Sequence, residues 1–275
     1  MNTRKVAFVT GASRGIGRAS AVALAHAGYD VAVSARTMID GTAFLDDGIT
    51  PVPGGLDTTV AQIQAVGQEG HPIEMDLLDR QSVFHAADEA LKHFGRIDVL
   101  VNNAIYQGPG AMLTIEELDD TSLNQLFEGN VFAQLALIQY LLPTFLQQGG
   151  ATIVNMISAT AFTTPPGKIG SGGWGVGYAM SKSAFERIAP LLMVEHGEEG
   201  IISYNIDPGH VITERQIAKR KEKEYIAFPS APSEAIGAAI AWLVEDPLAP
   251  EEYGGTIVNA QREAKRRELL PGWPE

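Results

Sequence analysis

Cysteine is absent from all 275 residues. That excludes disulfides and thiolate metal sites and gives no sign of an oxidising compartment, so the cytoplasm is the expected location. Basic residues are scarce as well, 20 Lys and Arg against 33 Asp and Glu, for a net charge of -13. A chain this acidic lacks the clustered cations from which a general DNA- or RNA-binding surface is built, so any anionic ligand must be bound locally. Long hydrophobic runs are missing too. Met1 to Lys5 leads into only four apolar residues, Val6 to Val9, too few for a signal peptide or a spanning helix. The longest candidate, Val131 to Leu146, is interrupted by Gln134, Gln139 and Pro143. No membrane partner is expected. The six histidines show no metal-ligand spacing, and Asp119-Asp120 suits a helix N-terminus better than a cation, so no metal is expected.

The apolar residues that are present alternate between short β-branched runs and helix-length amphipathic segments, the pattern of repeated βαβ units on a parallel sheet. Strands are expected at Val6 to Thr10, Asp30 to Ala35, Ile73 to Asp76, Val99 to Asn102, Ala151 to Ile157, Ile201 to Ile206 and Thr256 to Val258. Helices are expected near Gly17 to Ala27, Leu56 to Glu69, Arg80 to Phe94, Ser122 to Leu146, Tyr178 to Glu195 and Ser233 to Val244. The order predicts an α/β fold, a three-layer αβα sandwich with a doubly wound sheet, in one domain over residues 1–275. Three Gly- or Pro-rich stretches break the rhythm: Met38 to Gly55, Thr163 to Gly177 and Gly209 to Pro232. Each adjoins a strand end, where open α/β sheets bind ligands. The tail from Ala260 reads as a charged end with Leu269, Leu270 and Trp273 docked on a surface, or as a contact with a partner subunit.

After the first strand the chain must turn tightly, admit a phosphate close to the backbone and open a helix whose free amides face the anion. Gly11, Gly15 and Gly17, in Thr10-Gly11-Ala12-Ser13-Arg14-Gly15-Ile16-Gly17, meet those needs in the right strand-before, helix-after context. At the end of the second strand stands Ser34-Ala35-Arg36, with no acid for ribose hydroxyls, and Arg14 adds a second guanidinium. Two arginines converging on a 2′-phosphate predict NADP(H) over NAD(H); alternatively Arg36 pairs with Asp46 or Asp47. Farther on, Tyr178-Ala179-Met180-Ser181-Lys182 sets a phenol and an ammonium at i and i+4 on one helix face. A phenol with an ordinary pKa of about 10 needs such a cation to exchange protons near neutrality.

With Asn102-Asn103-Ala104, Ser158 and Pro208-Gly209 added, the chain closely resembles the short-chain dehydrogenase/reductase family from about Lys5 to Asn259. The resemblance implies a seven-stranded parallel Rossmann sheet and a homodimer or homotetramer. It implies that Ser158 polarises a small-molecule carbonyl, that Tyr178 is the general acid/base, and that Lys182 lowers the tyrosine pKa and bonds the nicotinamide ribose. Asn130 resembles the asparagine that anchors a proton-relay water. The cofactor set it implies is Gly11, Ser13, Arg14, Gly15, Ile16, Gly17, Arg36, Asp76, Leu77, Asn103, Ala104, Ile105, Tyr178, Lys182, Pro208, Gly209, Val211 and Thr213. Three departures stand out: Ile105 where Gly is usual, a longer loop between Ser158 and Tyr178, and Asn259-Ala260-Gln261 after the last strand. Trp174 packs either on substrate or on protein, and His210 is expected to be structural.

The expected reaction is hydride transfer between a ketone or aldehyde and an alcohol. Two alternatives stand beside it. One is a 3-oxoacyl-thioester reductase of the acyl-carrier type, for which Lys219, Arg220, Lys221 and Lys223 would form a basic surface, although their alternation with Glu222 and Glu224 equally suits a solvated helix. The other is a catalytically idle dinucleotide sensor, which would need only the cradle. The stretch Val211 to Pro232 is expected to be a mobile lid.

Overall fold

The computed structural model describes residues 4–45, 47–219 and 230–274. The first half runs β1 (Val6–Thr10), α1 (Gly15–His26), β2 (Asp30–Ala35), α2 (Leu56–Ala65), β3 (Gly70–Glu74), α3 (Arg80–Phe94) and β4 (Val99–Asn102). The second runs α4 (Asp120–Phe127), α5 (Ala133–Gln147), β5 (Ala151–Met156), α6 (Val176–Glu186), α7 (Ile188–His196), β6 (Ile201–Asp207), α8 (Glu214–Lys219), α9 (Ser233–Glu245), α10 (Ala249–Tyr253), β7 (Ile257–Asn259) and α11 (Ala260–Arg266). The seven strands form one sheet in the order β3-β2-β1-β4-β5-β6-β7. Every pairing is parallel. This is the doubly wound Rossmann arrangement, and the strand order reverses between β1 and β4, where a crevice opens at the carboxyl ends.

The strands are apolar on both sides because helices cover both faces. One core layer joins Val9, Val33 and Tyr204 to Leu24 of α1 and Ile236, Ile240 and Leu243 of α9. The other joins Phe8, Leu100 and Ile153 to Val83 of α3 and Leu137, Leu141 and Phe145 of α5. Helix ends follow local chemistry. Asp79 caps α3 by accepting the Gln81 amide, and Gly95 stops the helix in the left-handed region.

Three elements differ from the sequence reading. The third strand lies earlier, at Gly70–Glu74, with only Ile73 of its residues fully buried; it is an edge strand, where Pro72 costs no ladder bond and an apolar run is not required. Asp76 therefore follows the strand. The expected helix from Ser122 to Leu146 is α4 and α5 joined by a widened turn, Glu128–Phe132, centred on Asn130. Together they form one helical stretch, Asp120–Gln147, long and apolar enough to cross a membrane, but more than half of its most apolar window is buried in the fold. The tail forms α11, and Leu269, Leu270 and Trp273 pack against the α1–α9 layer. Buried Glu263 gathers Arg262, Arg266 and Arg267 there, which orders the charged end.

Candidate active site

The turn between β1 and α1 is set by backbone demands. Gly11 has φ 67° and Gly15 φ 55°, a region that costs a side chain 1–2 kcal/mol, roughly. At Gly17 the constraint is space: a Cβ would run into the Gly11 carbonyl oxygen and collide with Asn103. Asn103 holds the turn from the next strand, donating Nδ2 to the Thr10 carbonyl at 2.9 Å. The Thr10 hydroxyl in turn accepts the amides of Asn103 and Ala104. Ser13 is buried in the loop, and Ile16 packs on the core behind it.

The first amide of α1 is engaged. Gly15 N–H donates to a carboxylate oxygen of Glu214 at 2.9 Å, and Arg18 donates to the other oxygen at 3.2 Å. Thr213 lies against Gly15, within about 3 Å of where a Cβ would stand. The helix start thus attracts an anion, as the exposed amides and helix dipole require. A dinucleotide diphosphate fits the same donors.

On the adenosine side the insertion folds back onto this loop. Arg14 donates Nε to the Pro53 carbonyl at 2.8 Å and Nη2 to the Gly54 carbonyl at 2.7 Å. Gly54 is pressed so close that a Cβ there would strike Arg18 and the Ser13 carbonyl. Asp40 accepts the Gly54 amide. The expected convergence of Arg14 with Arg36 is therefore altered, because two of Arg14's donors serve the insertion, and burial lowers its pKa. Arg36, at the end of β2, is exposed and forms no ion pair among the described residues. Asp47 turns inward to the Ile49 and Thr50 amides and Asp46 lies outside the described residues. Asp76 accepts the Leu78 amide, and buried Leu77 joins the α3 layer. Asp76 also lines a hollow of about 500 Å³ with Met38, Glu74, Asp79 and Ser82.

Across the crevice, α6 carries Tyr178 and Lys182 one turn apart, only 4 % and 1 % exposed. Ser158 and Gln107 stand close enough to the Tyr178 hydroxyl to act on its titration. Burial raises its pKa; the polar side chains of Ser158 and Gln107 act the other way, and the charge of Asp207 raises it further. Lys182 donates Nζ to the Met156 carbonyl at 2.6 Å, and burial lowers its pKa to about 7. The largest influence on the phenol in this structure is burial, and the Lys182 ammonium is directed to the Met156 carbonyl. Ser158, at the end of β5, accepts the Thr160 amide at 3.4 Å.

Asn130 acts through its side chain on a neighbouring loop. Its Oδ1 accepts the Tyr106 amide at 2.7 Å, and its Nδ2 donates to the Tyr106 carbonyl and to Ser181. This fixes the residue next to Gln107. Gln134 donates to the Ala104 carbonyl, and Ile105 packs with Leu126 and Tyr178, so its bulk thickens the wall behind the phenol. Pro208 and Gly209 follow β6, with Gly209 at φ 62°. Gln261 donates to the carbonyls of Pro208 and His210 at 2.9 Å each. Val211 is buried and bridges to Ala231. Of the lid, Thr213 and α8 with Lys219 are described; Arg220, Lys221, Glu222, Lys223, Glu224, Tyr225, Ile226 and Phe228 lie outside the described residues.

Gln107, Asp207 and Glu214 are functional candidates that sequence reasoning missed. Each is a single polar residue in a loop, at a strand end or at a helix start, and its meaning depends on partners 48 to 199 residues away for the last two. The Asp-Pro-Gly run was the only available signal, marking an acid beside the nicotinamide turn. Trp174, left open between two readings, stacks on the Tyr178 ring at 4.7 Å and 24° while 38 % exposed.

Comparison with known proteins agrees with this geometry. The family model described as short chain dehydrogenase matches residues 5–47 and 49–224. The chain is 32 % identical to the short chain dehydrogenase mpl6 of Monascus purpureus over 280 residues, covering 98 % of this chain and 86 % of that protein. A putative short-chain alcohol dehydrogenase from Sinorhizobium meliloti superposes with a TM-score of 0.76 at 26 % identity, covering 95 % of this chain and 96 % of its own. An alcohol dehydrogenase from Thermococcus sibiricus, solved with 5-hydroxy-NADP, gives 0.71 at 25 % identity, with 93 % and 95 % covered. A parallel sheet in this strand order, a glycine turn braced by asparagine and a buried Tyr–Lys pair facing a serine thus occur in a chain matched along most of its length, and the protein is an oxidoreductase of the short-chain dehydrogenase family.

Proposed function

We propose that this chain, as one catalytic domain over residues 1–275, is an NADP(H)-dependent oxidoreductase interconverting a ketone or aldehyde and an alcohol. The meeting of Ser158 and Gln107 at the hydroxyl of buried Tyr178 carries the reading. The bound dinucleotide supplies or accepts the hydride. Gly11, Ser13, Gly15, Ile16 and Gly17 would hold its diphosphate; Asp76, Leu77, Asn103, Ala104 and Ile105 its adenosine side; Lys182, Pro208, Gly209, Val211 and Thr213 its nicotinamide end.

In reduction, the Ser158 and Tyr178 hydroxyls donate hydrogen bonds to the carbonyl oxygen, so charge that builds there meets fixed donors. The Tyr178 O–H bond breaks as the new alcohol O–H forms, and the phenolate regains a proton from solvent. Oxidation reverses these transfers. Burial disfavours the phenolate, so Tyr178 rests protonated, with its proton in place for donation, as a weaker acid than an exposed tyrosine. Asn130 keeps the Tyr106–Gln107 loop against the phenol.

Preference for NADP(H) is supported by exposed Arg36 at the end of β2, where no acid stands, and by the Thermococcus relative's bound 5-hydroxy-NADP. The exposed apolar side chains of Phe132, Tyr140, Leu191 and Val194 suit the expected homodimer or homotetramer. The test is oxidation of NADPH and NADH with ketones, aldehydes, quinones and acyl thioesters. We expect turnover of carbonyls with kcat/KM at least about tenfold higher for NADPH, since a charge-assisted contact is worth roughly 1.5–3 kcal/mol. Arg36→Asp is expected to reverse that order. Dinucleotide binding without turnover of any substrate would leave a sensor and overturn the proposal.

A further inference from the structure

Asp207 closes β6 and is 5 % exposed. Its Oδ1 accepts two backbone amides at 3.1 Å, that of Ala159, just after the site serine, and that of Gly209, in the turn after β6. Its Oδ2 accepts Asn259 Nδ2 at 3.4 Å, from the end of β7. Among the described residues Asp207 forms no ion pair, so a buried carboxylate is kept on three neutral donors. A buried carboxyl group that joins the amide beside Ser158 to the amide of the turn after β6 has a use beyond packing.

We propose that Asp207 is a positioning residue of the active site, its carboxylate locking the Ser158 strand end, the Pro208–Gly209 turn and the C-terminal strand into one wall. The inference rests on the reading of the site given above. It explains why this chain carries Asn259 at the end of its last strand and Gln261 just beyond: Asn259 completes the carboxylate, and Gln261 holds the two carbonyls of the same turn. The carboxylate also acts on Tyr178, making phenolate harder to form, so it keeps the tyrosine protonated to higher pH and makes it a weaker acid. The other groups facing the phenol are neutral Ser158 and Gln107, while Lys182, on the same helix, is turned to the Met156 carbonyl.

Two variants separate position from charge. Asp207→Ala removes both and is expected to lower kcat tenfold or more while KM for the carbonyl changes less than about threefold. Asp207→Asn keeps an acceptor oxygen and removes the charge; it is expected to recover most of kcat. Its rising limb in alcohol oxidation, which reports phenolate formation, should move to lower pH. Hydrogen exchange at the Ala159 and Gly209 amides should quicken in Asp207→Ala and stay slow in Asp207→Asn, a readout independent of turnover. Asp207→Ala with kcat within twofold of wild type, or Asp207→Asn with an unmoved limb, overturns the proposal. If Asp207→Ala does not fold, the limb of Asp207→Asn decides alone. A wild-type protein that turns over no carbonyl refutes the proposed function instead, and the exchange measurement then still tests the wall.

Discussion

On the β1–α1 side the site is made of backbone. Gly11 and Gly15 supply dihedrals, Gly17 supplies space, and Asn103 and Thr10 tie carbonyls and amides in place. On the β5–β6 side it is made of side chains that depend on other side chains: Tyr178 on Ser158, Gln107 and Trp174, and the Tyr106–Gln107 loop on Asn130. The first half tolerates no added atom. The second tolerates replacements of similar shape but reports each through rate or pH. Backbone sites fail by losing ligand and stability together, and side-chain sites fail one chemical property at a time.

The sharpest break in the side-chain half is Tyr178→Phe, which removes one oxygen and leaves the ring stacked on Trp174. Turnover is expected to fall by about 10²- to 10⁴-fold with dinucleotide affinity nearly intact, read by steady-state rates and fluorescence titration. Retention of more than a hundredth of the activity would remove Tyr178 as the acid. In the backbone half, Gly17→Ala should fail in the opposite manner. A methyl directed at the Gly11 carbonyl forces the turn apart, costing on the order of 1–3 kcal/mol in denaturant unfolding and most of the dinucleotide binding.

Lys182→Met tests whether side-chain sites are held at the expense of stability. In the fold burial lowers the lysine pKa to about 7 from 10.5. Between those values the unfolded chain holds a proton that the folded chain has released, so wild-type stability rises with pH across that window. Below pH 7 both states are protonated and the full penalty of a buried charge applies. The variant should therefore melt several degrees above wild type at pH 6, with the gap closing toward pH 10, while losing activity. A gap independent of pH would contradict it. The smallest effect belongs to Glu214→Gln, which removes the carboxylate from the α1 amides. Dinucleotide affinity should tighten about two- to fivefold by calorimetry, in keeping with a partly exposed ion pair; weaker binding would mean that Glu214 serves as a scaffold.

The same division governs what could be read from sequence. Glycines at fixed offsets after a strand, and Tyr and Lys one helical turn apart, are local requirements, so the cradle, Ser158 and the α6 pair were visible together with the seven strands. Asp207, Gln107 and Glu214 were not, because their roles arise from contacts across the sheet that spacing does not encode. Arg14 shows the limit most clearly. Its position beside the phosphate loop was legible, but its engagement with Pro53 and Gly54 depends on how an irregular insertion folds back. The widened turn at Asn130 was hidden in an uninterrupted helical pattern, since nothing in the apolar period marks one extra residue.

Glu214 makes the cradle a place of exchange. On the reading proposed above, a diphosphate arriving where Gly15 and Arg18 serve a tethered carboxylate would compete with a resident whose effective concentration is fixed by the chain and cannot be diluted. Salt screens the newcomer and the resident alike, so raising ionic strength should weaken dinucleotide binding less than the count of phosphate contacts suggests. A carboxylate displaced in this way would move the start of α8, the element that carries it.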